Sequence, residues 1–246
     1  MKNEVSLKLD REEIYNPEQQ NIWCFKHVDD IVEGMMLDLC NMTSNYPFEV
    51  KGTTWRSSED LYLCGEFSED TPQHRSIQEE LRNSRSPYAA KRFVKGKHRR
   101  EVREDFPEFR TQWMLWVVWQ KCLGNEDFRN KLLSLPSDVI LVEETTTDTG
   151  GTRLIWGCSN RELIKVRKEL SMKLTEKHSH LKKKDLKKLL NVELNKVRNV
   201  GLFEGQNNMG KILMICRDCL QNGTEPQVDL NMLASKGIYI LGEKIL

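Results

Sequence analysis

Apolar residues recur at helical spacing in three long stretches of the chain. Residues 105–125 carry bulky aromatic side chains close to one helical face, and such a face usually packs into a core. Residues 160–200 contain two further apolar faces. The spacing therefore predicts one long helix followed later by a helical pair. The positions are Phe109, Trp113, Trp116, Val117 and Leu123, then Leu163, Val166, Leu170 and Leu174, then Leu186, Leu190, Leu194 and Val197.

Shorter apolar runs bounded by turn residues predict strands between the helices. Residues 39–55 read as a loop, a strand and a Lys-Gly turn, and residues 139–143 form a buried strand after a helix that ends at Pro136. The threonine-rich stretch 145–157 predicts a loop or hairpin, residues 28–36 a short helix, and residues 238–246 a final strand. These elements define an α+β fold that is mainly helical.

Length and hydropathy favour a protein that stays in water. A chain of 246 residues can bury a core without disulfides. The longest strongly apolar run, residues 113–119, is far shorter than the roughly 20 residues that span a bilayer. The first residues lack the apolar segment of a secretory signal. We expect a cytoplasmic protein that does not contact a membrane.

Charge is unevenly distributed along a chain whose net charge is +1. Residues 161–200 hold 13 Lys and Arg against 5 Asp and Glu, a surplus of 8, so the remainder carries about −7. Two interpretations stay open for this basic segment. It is either the solvated face of a helical hairpin or a surface for a nucleic-acid backbone.

The cysteines indicate neither a disulfide framework nor a metal site. Seven is an odd number, and they are scattered through the chain. Cys216 and Cys219 form the sole CxxC, without a second pair or suitably spaced histidines, so thiols on a helix are favoured over zinc. We predict no metal and no cofactor.

A carboxylate at the start of a helix is the first candidate for chemistry. Ser57 or Ser58 can cap a helix whose first turn contains Glu59. The helix dipole alone favours an acidic side chain there, so the position by itself does not assign a catalytic role.

Five ordered segments between residues 39 and 220 resemble the NADAR or YbiA-like family. Its pattern includes an S-N-F piece before Pro-Phe, a W-P-[ST]-x-E-H piece and a G-x-N-x-[LM]-G piece. The matching segments are Leu39-Cys40-Asn41-Met42 before Pro47-Phe48, Trp55-Arg56-Ser57-Ser58-Glu59-Asp60, Lys121-Cys122-Leu123-Gly124-Asn125, Leu141-Val142-Glu143 with Asp148 and Trp156-Gly157, and residues 205–214.

The resemblance implies hydrolysis of an N-glycosidic bond at a ribose carbon. Relatives act on phosphorylated ribosylamino intermediates of riboflavin synthesis or remove ADP-ribose from guanine in DNA. Breaking the bond builds positive charge at C1, so the site needs an anion and a positioned water. We expect Glu59 to be the catalytic carboxylate. Asp148 is either a partner acid or ribose ligand, or a turn-forming residue.

The resemblance also implies the residues that contact substrate and the domain limits. Residues 39–220 would form the catalytic domain, with the insertion at 159–200, a lead-in at 1–38 and a tail at 221–246 packed on the domain. Phe106 and Trp156 would stack on a base. The helix start after Gly205 would either hold a phosphate or be an ordinary capped helix. The expected substrate-binding residues are Asn41, Trp55, Arg92, Phe106, Trp156, Asn207 and Gly210.

Departures from the family pattern leave a non-catalytic ADP-ribose or nucleic-acid binding module as an alternative. Cys40 and Met42 replace serine and phenylalanine, Asp60 replaces the histidine, and Phe106 stands where tryptophan is common. The histidine change lies directly beside Glu59, so it bears on activity.

The basic insertion favours a macromolecular substrate over a free metabolite. We expect ADP-ribosylated guanine in DNA or a nucleoside, possible contact with single-stranded DNA, and a genetically paired ADP-ribosyltransferase toxin. The alternative substrate is a riboflavin-synthesis intermediate. The residues expected to guide nucleic acid are Lys182, Lys183, Lys184, Lys187 and Lys188.

Overall fold

The computed structural model describes residues 7–145, 152–198 and 200–246. The strands are β1 (Glu13–Tyr15), β2 (Ile22–Phe25), β3 (Ile31–Val32), β4 (Met35–Met36), β5 (Phe48–Val50), β6 (Thr53–Trp55), β7 (Ile140–Glu143), β8 (Phe203–Gly205), β9 (Tyr239–Ile240) and β10 (Glu243–Lys244). The helices are α1 (Ser58–Gly65), α2 (Pro72–Arg82), α3 (Pro87–Ala89), α4 (Lys95–Lys97), α5 (Phe106–Gly124), α6 (Glu126–Leu133), α7 (Thr152–Trp156), α8 (Arg161–Lys177), α9 (Lys183–Asn195), α10 (Asn208–Asn222) and α11 (Leu230–Ser235), with a π-helical turn (Ala90–Val94) between α3 and α4. The predicted α+β class is confirmed.

Backbone contacts group the chain into two compact units. The first comprises the described residues of Met1–Lys26 and Ser137–Lys211, and the second comprises His27–Pro136 and Ile212–Leu246. No helix in the described part of the chain is long and apolar enough to cross a membrane.

Two strand pairs organise the first unit. β2 runs parallel to β7, and β1 pairs antiparallel with β8. A buried cluster of Tyr15, Val142, Cys158, Leu163 and Phe203 fills the core of this unit. The sequence predicted no strand before residue 39, because each partner is more than a hundred residues away along the chain and short strands carry little periodicity of their own.

The predicted helical pair of the basic insertion is present as α8 and α9. Asn160 caps α8 by accepting from Leu163 N at 2.9 Å, and its Nδ2 donates to Val200 O at 2.7 Å. Arg167 donates from Nη1 to both carboxylate oxygens of Glu144 at 2.7 and 2.8 Å, while its other nitrogens donate to main-chain carbonyls near the end of α9. The base of the hairpin is therefore fixed by hydrogen bonds.

α5 is the central helix of the second unit. Phe109, Trp113 and Val117 are fully buried, and the Trp113 ring stacks on Trp116 with 4.9 Å between ring centroids. A Cβ at Gly65 of α1 would lie 2.2 Å from Trp113 Nε1, so only glycine permits this approach of the two helices. The predicted apolar face is thus a core. Leu123 is an exception, since it is exposed.

Three local predictions were wrong. Residues 28–36 contain the hairpin β3–β4 instead of a helix, because Glu33 and Gly34 both have positive φ, as a type I′ turn requires. Residues 239–244 form the hairpin β9–β10 instead of one strand. Thr152–Trp156 is helical, although residues 145–157 predicted a loop or hairpin. Residues 146–151 of that stretch lie outside the described residues.

Lys121 on α5 is a buried cation held against aromatic rings. Its Nζ lies 4.1 Å from the Phe128 ring centroid and 5.2 Å from that of Tyr46. Burial lowers the pKa of Lys121 from 10.5 to about 8. The folded state therefore binds this proton less tightly than the unfolded chain does.

We predict that Lys121→Met raises the free energy of unfolding at pH 7 by about 2 kcal/mol, because the desolvation cost exceeds the lost cation–π attraction. Above pH 8 the folded wild type releases the proton while the unfolded chain retains it, so wild-type stability rises and the difference narrows. Urea unfolding at pH 7 and pH 9.5 measures both effects. If the difference in free energy of unfolding between Lys121→Met and wild type is the same at both pH values, the pKa of Lys121 is not lowered in the folded state.

Candidate active site

Glu59 is fixed at the beginning of α1 by two caps. Ser57 Oγ accepts from Asp60 N at 3.2 Å, which confirms one of the two predicted capping serines. Asn41 O accepts from Glu59 N at 3.1 Å, so the loop that carries Asn41 is hydrogen-bonded to the helix start. The Glu59 side chain is buried. The two predicted site residues Asn41 and Glu59 thus lie together, although they are distant in sequence.

Two ion pairs join α1 to the basic segment 91–97. Lys91 Nζ lies 2.9 Å from Glu59 Oε1, in an ion pair that is not aligned as a hydrogen bond. Lys95 Nζ donates to Glu66 Oε1 at 2.6 Å. Both carboxylates are buried, whereas Lys91 and Lys95 are about half and one third exposed. The pairing of these two lysines with buried acids was not predicted from the sequence.

Apolar surroundings favour protonation of the second carboxyl group. Burial raises the pKa of Glu66, and Lys95 opposes that rise. Burial likewise raises the pKa of Tyr62, which lies between the two acids along α1. The Phe106 ring packs edge-on against Tyr62 with centroids 5.5 Å apart.

Asp60, which replaces the family histidine, makes a structural ion pair. Its two oxygens accept from Arg56 Nε at 2.8 Å and Nη2 at 3.0 Å, and Arg56 Nη1 donates to Ser84 O at 2.6 Å. Burial raises the pKa of Asp60, and Arg56 opposes this rise. The pair ties the start of α1 to the segment after α2, so the departure from the family pattern has a role in packing.

Trp55 and Phe106 are core residues of the second unit. Trp55 is 1% exposed, and Phe106 packs against Phe109 as well as Tyr62, with ring centroids 5.2 Å apart. Both side chains pack in the core of the unit whose helix α1 carries Glu59. Direct substrate contact by these two residues stays a prediction.

Arg92 belongs to an exposed aromatic cluster that was not predicted from the sequence. Its Nη1 donates to Tyr88 Oη at 2.7 Å, and its Cζ lies 5.9 Å from the Tyr88 ring centroid and 5.7 Å from that of Phe93. Tyr88 and Phe93 are each about half exposed. The sequence pattern that could have predicted this cluster is the alternation of aromatic and basic residues at 86–97.

Asn207 and Gly210 belong to the first unit, where they hold β7. Asn207 is fully buried; its Oδ1 accepts from Glu143 N at 3.0 Å and its Nδ2 donates to Leu141 O at 2.9 Å. A Cβ at Gly210 would lie 2.1 Å from Leu141 O. These contacts explain both residues through packing, and their predicted contact with substrate stays a prediction.

The remaining predicted residues differ in their surroundings. Trp156 ends α7 and is half-buried. Asp148 lies outside the described residues. The five guide lysines, Lys182, Lys183, Lys184, Lys187 and Lys188, are all exposed at the start of α9. The described part of the chain contains no group of three or more metal-binding side chains.

The second unit therefore defines a class of site: a buried carboxylate at a helix start, paired with a partly exposed lysine, in an α+β protein. The NADAR domain family matches residues 30–221, and the chain belongs to this family, which is associated with N-glycosidase activity. The chain is similar to the NMR structure of the E. coli protein YbiA, with 23% identity, 83% of this chain and 88% of that chain covered, and a TM-score of 0.49. No curated protein matches the chain significantly.

We predict that Asn207→Ala lowers the free energy of unfolding by about 3 kcal/mol, because two buried main-chain groups of β7 lose their partner. Asn130→Ala, on the exposed side of α6, is the matched control and should change it by less than about 0.5 kcal/mol. Chemical unfolding of both variants measures this. Equal free energies of unfolding for the two variants would show that the Asn207 hydrogen bonds to β7 do not stabilise the fold.

Proposed function

We propose that this protein hydrolyses the N-glycosidic bond at C1 of a ribose, with Glu59 as the catalytic carboxylate. The observation that carries the proposal is the buried Glu59 side chain at the capped start of α1, beside Lys91. The N-terminus of a helix favours the ionised form of an acid. Family membership supports the reaction class.

The Glu59 side chain performs two tasks in this reaction. It stabilises positive charge that develops at C1 as the bond to nitrogen breaks, and it accepts a proton from the attacking water. Lys91 reduces the cost of burying the carboxylate and lies half exposed beside it, where it can also bind a substrate phosphate. Asn41 fixes the backbone of Glu59, so the carboxylate is preorganised.

The proposed substrate is ADP-ribosylated guanine in nucleic acid, and the reaction would reverse DNA ADP-ribosylation in the cytoplasm. Two features support this choice over a free metabolite. Tyr88, Arg92 and Phe93 offer half-exposed rings and a guanidinium group on which bases of a single strand can stack. The exposed lysines at the start of α9 suit a phosphate backbone. A paired ADP-ribosyltransferase toxin is the source that this substrate requires.

Glu59→Gln is expected to lower kcat on ADP-ribosylated guanosine by about 10³-fold or more, because an amide neither balances charge at C1 nor accepts the proton. Glu80→Gln is the matched control, since Glu80 is exposed and pairs with Lys97 and His98. Chromatographic measurement of released ADP-ribose compares the variants. Equal rates for Glu59→Gln and wild type would refute the proposal.

Replacement of the five guide lysines by glutamine should raise KM for ADP-ribosylated single-stranded DNA at low salt. For a single strand, each lost phosphate contact makes the slope of log affinity against log salt concentration less steep by about 0.7. The free modified nucleoside serves as internal control, since its hydrolysis should be nearly unchanged. If KM changes equally for both substrates, or for neither, the five lysines do not guide nucleic acid. A phosphorylated riboflavin-synthesis intermediate would then be the favoured substrate.

A further inference from the structure

Glu66 is a buried acid whose side chain is only partly satisfied. It directly follows α1 and is 3% exposed. Oε1 accepts from Lys95 at 2.6 Å, whereas Oε2 has no hydrogen-bond partner in the part of the chain that the structure describes. Leaving a buried carboxyl oxygen without a partner costs free energy, so its retention calls for an explanation.

The spacing along the helix places Glu66 on the same face as Glu59. Tyr62 follows Glu59 by three positions and precedes Glu66 by four, and such positions are neighbours on a helix surface. The two backbones are about 10 Å apart along the axis. The negative charge of Glu59 contributes to the raised pKa of Glu66, so the carboxyl groups interact electrostatically. Inverting glycosidases, in which one carboxylate activates the water and the other carboxylic acid protonates the leaving group, hold their two carboxyl groups about 6.5–9.5 Å apart.

We propose that Glu66 is the general acid of the reaction, donating a proton from Oε2 to the departing nitrogen. This inference rests on the proposed function of Glu59. Glu66 would thus be a second catalytic residue, and the pair of acids would come from α1 and the residue that directly follows it.

The proton and electron balance of the step is complete. The C1–N bond breaks with its electron pair going to nitrogen, and that nitrogen takes the proton of Glu66. Water forms the new C1–O bond and gives its proton to Glu59. One carboxyl group loses a proton and the other gains one, and exchange with solvent restores both. The products are the base and a ribose with a hydroxyl group at C1.

The groups around Glu66 are compatible with a carboxyl group that keeps its proton. Burial is the largest influence and raises the pKa of Glu66, while the Lys95 ammonium lowers it through charge and a hydrogen bond. Lys95 binds Oε1, which leaves Oε2 for the proton. The charged and titratable groups that act on Glu66 and its neighbour Tyr62 are Lys91, Lys95, Glu59 and Arg110.

The decisive test compares leaving groups that need a proton with one that does not. Glu66→Gln should reduce kcat on ADP-ribosylated guanosine by about 10²–10⁴-fold, the range of general acid catalysis. On 4-nitrophenyl riboside 5-phosphate it should reduce kcat less than threefold, because nitrophenolate leaves without protonation. Glu80→Gln should leave both rates unchanged.

The pH profile supplies a second readout that a structural role would not change. A general acid must be protonated, so wild-type kcat on ADP-ribosylated guanosine should fall as pH rises through the pKa of Glu66. This alkaline limb should disappear in Glu66→Gln. Asp148→Asn tests the other candidate for the general acid. If Asp148→Asn loses kcat on ADP-ribosylated guanosine but not on the nitrophenyl substrate, and Glu66→Gln shows no such difference, the proposal is overturned.

Each outcome separates this inference from the function on which it depends. Suppose that Glu59→Gln loses activity, whereas Glu66→Gln loses the same fraction of kcat on both substrates. That result refutes the general-acid role of Glu66 and leaves the proposed function standing. An inactive wild type refutes both proposals. Circular dichroism verifies folding; if Glu66→Gln does not fold, Glu66→Asp replaces it, and an equal loss of rate on both leaving groups overturns the inference.

Discussion

The candidate site depends on two buried carboxyl groups, Glu59 in the first turn of α1 and Glu66 directly after its end, and on the two lysines that pair with them. A buried carboxylate without a partner is too costly to persist, and a buried carboxylate with a fully buried partner would be closed to substrate. Lys91 and Lys95 avoid both problems. Their ammonium groups pair with the acids, and part of each lysine side chain remains exposed to solvent. The segment from Pro87 to Lys97 is therefore as important to the site as α1.

The rest of the second unit keeps α1 in position. Gly65 lets the helix approach Trp113, and the Arg56–Asp60 pair ties its first turn to Ser84. Asn41 O caps the amide of Glu59. Asp60 stands where the family pattern has histidine, and its engagement with Arg56 shows that this position serves packing in this chain. The change beside Glu59 is consequently weak support for a non-catalytic module.

The sequence predicted what local rules control. The helical face of α5, the cap at Ser57 and the helical pair α8–α9 follow from spacing and capping, and all are present. The parallel pairing of β2 with β7 and the ion pairs of Glu59 and Glu66 depend on distant segments, so no local pattern reveals them. Asn207 illustrates a further limit, because its hydrogen bonds to two main-chain groups of β7 join segments more than 60 residues apart and no local pattern reveals them.

The proposed hydrolysis requires that this buried acid site break the bond between ribose and base and not merely bind the modified nucleoside. Mass spectrometry of a single turnover, with wild-type protein in excess over ADP-ribosylated guanosine, tests it most directly. Hydrolysis should give ADP-ribose and unmodified guanosine in equal amounts, which together account for the substrate consumed. Intact substrate recovered from a tight complex, with neither product formed, would contradict it.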